Sequence, residues 1–440
     1  MQDKDSSNNL KPQLGALTLW GLGVGYVISG MYFGWNLGLP VGGTLGLGLA
    51  TFVISLMYLT FTFSYAELAC AIPKAGGAFD YAKAAFGREI GFLAGIAQAI
   101  EFIFAPPAIA AAIGAYFNLF LPDVSPLIIA LIAYLIFTGL NIYGVKAAAR
   151  FELIITILAV FELLLFAGFT LPHLEVRHLQ KNALPQGWLG AFAAIPFAIW
   201  FFLGIEGVAN VAEETINPQR NILLGFGSAI ITLVILAFLT FFSAIGVNGW
   251  ESIVYIADNQ QVSDSPLPLA LGKIVGNGHL LYHLLVSIGL FGLVASFHGI
   301  ILAAGRAVFE MGREHYVHPW VGKVNPRFGT PANALIVNML LGILALFTGR
   351  TAEIITLAVF GALTLYIISM LALFQLRKIS PNMERPFRVP FYPLFPILAL
   401  SIAIIALLSV IYFNPFLALI YLIIILLAYI WFRVFSEQRG

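Results

Sequence analysis

Apolar residues run along this chain in long blocks cut by short polar breaks. Twelve blocks are present, near 14–39, 43–70, 90–121, 126–145, 151–171, 188–213, 221–247, 280–311, 331–348, 352–376, 391–413 and 415–434. A helix needs about 20 apolar residues to cross about 30 Å of hydrocarbon, so each block predicts a membrane-spanning helix. Two joins nearly fuse, at Asn36 to Gly43 and at Asn414–Pro415. The largest pieces between blocks, 172–187, 248–279 and 312–330, leave no room for a separate hydrophilic domain.

Composition agrees with the pattern. Of 440 residues, 60% are hydrophobic and 10% charged, against roughly a quarter charged in soluble domains. Mean hydropathy is +0.94. The class is a polytopic membrane protein, and a net charge of +1 gives no reason to expect nucleic acid. Charge placement sets the orientation. With the N-terminus in the cytoplasm, 18 of the 22 Lys and Arg fall on the inner side, and only Arg177, Lys181, Lys273 and Arg350 fall outside. Positive charge gathers on the cytoplasmic side, so both termini are expected there, in a cell inner membrane. No removable signal peptide is expected. The single cysteine, Cys70, excludes an internal disulfide. No phosphate-binding loop, dinucleotide fingerprint or metal-spaced Cys/His set occurs. An enzyme and an ATP-driven pump are both disfavoured, no cofactor is expected, and an ion or substrate gradient should supply the energy.

Two blocks carry weak spots. In "YVISGMYFG" (26–34) glycines interrupt the first block, and glycine costs about 1 kcal/mol in a helix interior. In "WFFLGIEGVANVAEETINPQRN" (200–221) Gly204 and Gly207 flank Glu206 in the sixth. Close helix packing through small residues would explain glycines alone. If the chain is two five-span halves, however, each weak spot opens its half. Paired interrupted helices at equivalent positions point to the binding site of an inverted-repeat transporter, because broken backbone at that depth must line protein or a cavity. Breaks are expected near Ser29–Gly30 and Gly204–Glu206, facing one another.

Five segments in order carry a resemblance: "LWGLGVGYVISGMYFG", "YAELACAIPKAGGAFDYAKAAFG" (65–87), "GIEGVANVAEETINPQRNI" (204–222), "GREHYVHPWVGKVNPRFGTPANA" (312–334) and "RPFRVPFYPLFP" (385–396). Together they resemble the amino acid–polyamine–organocation superfamily of permeases over nearly the whole chain. "YVISGMYFGWNLGLPVGGT" and "FHGIILAAGRAVFE" further resemble its ethanolamine-permease branch. The resemblance implies an all-α, leucine-transporter-like fold. It would have a cytoplasmic tail (1–13), inverted repeats over 14–171 and 188–376, and two extra spans over 391–434.

The resemblance places free backbone N–H groups for a substrate carboxylate at Ser29, Gly30 and Met31. Ile28 stands where relatives often have glycine, which suits a ligand without an α-carboxylate, such as ethanolamine. Glu101, about eleven residues into the third block, lines the substrate pocket by resemblance and would suit an ammonium. The alternative is a protonated carboxyl bonded to a backbone carbonyl. Glu206 is expected to lock the broken helix by accepting from free N–H groups, ahead of direct ligand contact. Glu213 and Glu214 would serve as caps or gate residues. Trp200 and Phe202 match aromatic gate positions, though buried packing explains each as well. His298 and Glu162 are intramembrane ionisable groups, costly unless they face a cavity or partner. Some proton-coupled relatives carry a lysine where this chain has Ala159, so His298 or Glu162 is expected to link transport to protons; a neutral His298 bonded to backbone is the alternative. Phe202, Gly204, Glu206 and His298 are also expected among the substrate-binding residues.

The expected function is alternating-access import of a small amine, ethanolamine first, or an amino acid, with H+ as coupling ion. A general amino acid permease or exchanger, and a non-transporting ligand sensor, are the alternatives.

Overall fold

The computed structural model describes residues 12–256 and 262–436, and they are almost wholly helical. The first expected repeat holds α1 (Ala16–Tyr32), α2 (Leu39–Ala71), α3 (Ala78–Phe86), α4 (Arg88–Asn118), α5 (Pro126–Tyr143) and α6 (Val145–Thr170). Short α7 (Val176–Gln180) and α8 (Gly187–Ala193) lead into α9 (Ile195–Trp200), α10 (Pro218–Asn248), α11 (Glu251–Val254) and α12 (Pro266–Val275). The chain closes with α13 (Leu280–Arg313), α14 (Ala332–Leu346), α15 (Thr351–Ile379), α16 (Leu394–Phe413) and α17 (Pro415–Ser436). Among the described residues there is no β-sheet, only the isolated bridges Leu14–Thr215 and Tyr255–Val262. The first eleven residues of the expected cytoplasmic tail, Lys4 and Lys11 with them, lie outside the described residues.

Among the described residues ten helical segments are long and apolar enough to cross a membrane, while α1, α12 and α14 are apolar but shorter. This is a multi-pass membrane protein. Its outer helices α16 and α17 leave Leu408, Leu422 and Leu427 more than half exposed. Such a surface is unfavourable in water and suited to lipid tails. Inside, α4 packs most extensively on α15 and α13, and α1 on α10 and α13. The near-fused join at 36–43 resolves into a 3₁₀ turn, Trp35–Gly38, and a kink at Gly43. Gly43 has φ 61°, and a Cβ there would lie 2.4 Å from the Ala183 carbonyl oxygen, so glycine is required.

Two resemblance motifs turn out to be tethers. Glu67, at the C-terminal end of α2, receives two bonds from Arg377, at 2.9 and 2.6 Å, and one from the Val389 N–H at 2.7 Å. Arg385 stands 3.3 Å away. The "AEL" and "RPFRV" segments are thus held together by one buried carboxylate. In "PKAGGAFD", Asp80 accepts from the Gly76 N–H at 3.1 Å, and the Ala75 carbonyl accepts from Asn210 at 2.8 Å. That turn is docked on the second interrupted segment.

Asp80 also gives a pH signature. Burial, with the Glu314 charge beside it, pushes its carboxyl up to about 6; Lys74, Lys83 and the Gly76 N–H oppose the shift. The folded state then holds a proton that the unfolded chain has already released, so stability falls as pH rises from about 4 to 6. In Asp80→Asn this slope should flatten, which detergent-phase melting curves between pH 4 and 8 would check.

Candidate functional site

The sixth expected span is interrupted as anticipated. Helix α9 stops at Trp200, Gly204 takes φ 98°, and a 3₁₀ segment follows over Ile205–Glu214. The first span differs. Helix α1 runs straight through Ser29 and Gly30 and ends at Tyr32; Phe33 is extended and Gly34, at φ 87°, turns the chain. The break lies at Phe33–Gly34, not at Ser29–Gly30. Two contacts account for Ser29 and Gly30 themselves. The Ser296 hydroxyl of α13 accepts from the Ser29 N–H at 2.8 Å and donates to the Gly25 carbonyl at 2.6 Å. These are the two ends of one turn of α1, so the hydroxyl wedges that turn while satisfying both groups. Gly30, for its part, serves close approach: a Cβ there would lie 2.4 Å from the Trp200 carbonyl oxygen.

The interrupted segments do face each other. Gly30 meets the Trp200–Phe201 backbone, Gly34 meets the Trp200 indole, and Gly204 and Gly207 meet Tyr26. Gly30→Ala should therefore cost about 1–3 kcal/mol as an overpacked contact. A melting temperature equal to that of wild type would contradict it. Ile28 and Met31 are buried in α1, and the Met31 carbonyl accepts from Trp35 at 3.1 Å. The Ile28–Met31 stretch is therefore helical wall, not a row of free donors. Trp200 packs edge-on against Phe33, with ring centroids 5.5 Å apart.

Beside this crossing lies a buried acidic pair. Glu101 on α4 and Glu206 in the 3₁₀ segment are both fully buried, and Glu101 faces the Glu206 carboxyl and the Gly204 backbone. Glu206 accepts from the Tyr366 hydroxyl at 3.0 Å, which stands 2.9 Å from the Tyr58 hydroxyl. Phe202 stacks at a tilt on Tyr58. Gly361 of α15 lets α4 come close: a Cβ there would lie 2.8 Å from the Glu101 nitrogen. The Glu206 carboxyl thus faces its own backbone N–H, as expected of a lock on the broken helix, and is also bonded across to α15. Neither oxygen of Glu101 has a hydrogen-bond partner among the described residues, and one oxygen of Glu206 also lacks one. The two carboxyl groups thus face each other in the interior, where an unpaired buried charge is costly.

The remaining residues lie elsewhere. His298 is bonded to the Glu152 carboxylate at 2.7 Å, not to backbone. Glu162 accepts from the Tyr32 hydroxyl at 2.6 Å, beside a small cavity lined by Tyr116, Pro268 and Gly289. Neither touches the acidic pair. Glu213 pairs with Arg313 at 2.6 Å and Glu214 with Arg306 at 3.0 Å. On the opposite end, a cavity of about 1000 Å³ is lined by Lys181, Glu251, Lys273 and Ser263. Ser263 in turn accepts from Asn36 at 2.8 Å, just beyond the first break.

The family model described as amino acid permease matches residues 14–432. The chain belongs to that family. It is similar to an uncharacterized transporter of Rhizobium meliloti, 29% identical over 92% of this chain and 86% of the relative. It is also similar to the branched-chain amino acid permease BcaP of Bacillus subtilis, at 25% over 91% and 89%. The methylthioribose transporter of the same species is 26% identical over 91% and 89%. As a family member, this permease is a secondary transporter of small polar, amino-acid-like solutes and not an enzyme.

Proposed function

We propose that this permease carries a small amine-bearing solute, an amino acid first, whose ammonium is held between Glu101 and Glu206. The observation that carries the reading is the buried acidic pair, Glu101 facing Glu206, at the crossing of the two interrupted segments. Tyr58, Tyr366 and Phe202 would wall the ammonium, and Trp200 would act as the aromatic gate. The names of the relatives, a branched-chain amino acid permease among them, favour an amino acid. Ethanolamine is the second reading, favoured by one observation: the Ser29 N–H is engaged by Ser296 and the Ile28–Met31 stretch is helical, so a carboxylate finds no row of free donors there. The direction is import, the driving ion H+, and the orientation that of both termini inside. Uptake of labelled serine, leucine, arginine, glutamate and ethanolamine into proteoliposomes, with an imposed pH gradient, tests the reading. Accumulation of an amino acid supports it, accumulation of ethanolamine alone supports the second reading, and binding without accumulation would make the protein a sensor.

A further inference from the structure

We infer that Glu152 and His298 form a single proton-binding site that registers the position of α1, an inference that rests on the proton-driven transport reading. His298 Nδ1 lies 2.7 Å from Glu152 Oε2, and both side chains are fully buried. The second Glu152 oxygen and the second His298 nitrogen have no hydrogen-bond partner among the described residues. Glu152 lies directly against α1: a Cβ on Gly25 would come 2.1 Å from its free oxygen and 2.6 Å from the Thr156 hydroxyl. Gly25 is the same residue whose carbonyl is held by Ser296 at the wedged turn.

The close approach of Gly25 to the free Glu152 oxygen and the Thr156 hydroxyl leaves no room for an ion between Glu152 and α1 at that point. A proton needs no volume. With one proton shared, the pair is neutral overall; without it, a buried carboxylate stands beside a neutral imidazole. The charged groups around the pair do not relieve that state. From α1 only the Tyr26 phenol approaches, its ring and Glu152 flanking Gly299. On α13 itself the nearest cation is Arg306, and it is already bonded to Glu214 of the 3₁₀ segment. From α5 come the Phe137 ring and the Asn141 amide, which donates to the His298 carbonyl at 3.1 Å; from α6 comes the Phe151 ring.

The pair should therefore keep its proton while α1 covers it and release it when α1 moves away and water enters. Release is then tied to one conformation, which is the requirement for coupling proton flow to alternating access. The atoms balance simply: the proton leaves the carboxyl–imidazole pair for water, and the same site takes one up when it faces the other solution.

Two measurements test this on the full-length protein. In proteoliposomes with trapped pyranine, using whichever labelled amino acid the wild type accumulates most, Glu152→Gln should lose at least tenfold of gradient-driven accumulation. Substrate-for-substrate exchange should stay within about twofold, since Glu152 does not touch the acidic pair. His298→Gln should behave alike. Wild-type gradient dependence in Glu152→Gln, or equal loss of exchange and accumulation, would overturn the site. The second measurement needs no substrate. Infrared titration of the purified protein in nanodiscs should show one protonated-carboxyl band missing in Glu152→Gln and shifted in His298→Gln. An unchanged band would overturn the site, whereas failure of all uptake with that band present would count against the transport reading alone.

Discussion

Glu101→Gln is expected to weaken amine binding by one to three decades without unfolding the protein. The amide keeps the shape and removes the charge. Two unit charges about 4 Å apart attract by roughly 4 kcal/mol at an effective dielectric near 20, before desolvation is subtracted. A net loss of about 1.4 kcal/mol is one decade of affinity. In the proposed arrangement Glu206 would share the ligand, and it bonds Tyr366, so Glu206→Gln should act in the same direction. The double variant should lose less than the sum, because residues facing one ligand are coupled. Glu101→Asp should recover only part, its carboxyl being one methylene farther back. Calorimetric titration with the best-accumulated substrate checks this. Wild-type affinity in a folded Glu101→Gln protein would assign the carboxyl to the scaffold.

The parts of this site differ in how openly they stand in the sequence. Glycines flanking a lone acidic residue announced the break at Gly204, because few other reasons put Glu206 inside an apolar block. Ser29–Gly30 carried the same signal for a different cause. Gly30 admits the Trp200 backbone, and a glycine kept for close approach reads like one kept for a break. The distinction depends on Ser296, 267 residues away along the chain, so no local pattern holds it. Tyr58 and Tyr366 were missed because a tyrosine in an apolar block is ordinary until its hydroxyl is seen to meet a carboxylate. Glu152 was passed over for its position. At the edge of the 151–171 block it reads as an interfacial charge, but α6 begins at Val145 and carries Glu152 into the buried interior. The order of the helices, by contrast, needed only hydropathy and polar breaks, since a bilayer leaves a long apolar block few alternatives.

The closure at the Arg306 end should be the most sensitive point for stability. Arg306 is fully buried, donating to Glu214 at 3.0 Å and to the Leu302 carbonyl at 3.3 Å. The Glu214 carbonyl accepts from the Gln13 and Leu14 N–H groups, at 2.7 and 2.9 Å, and the Ile216 N–H donates to the Leu14 carbonyl. One guanidinium thus fixes the short bridge that seals the entry to α1 against the end of the second interrupted segment. Arg306→Ala leaves Glu214 buried and unpaired, which typically costs about 3–5 kcal/mol. That is a large share of a stability of about 5–15 kcal/mol. Replacing both partners by apolar residues, Arg306→Met with Glu214→Leu, should restore much of the loss, because no lone charge remains. In the alternating-access reading it should not restore transport, because the pairing would form and part in each cycle and apolar packing would not. Melting in detergent separates these outcomes. A drop of several degrees in Arg306→Ala, recovered in the double variant while uptake stays low, is the expected pattern. A single variant that melts with wild type would mean that the pair contributes nothing to holding α1 in place.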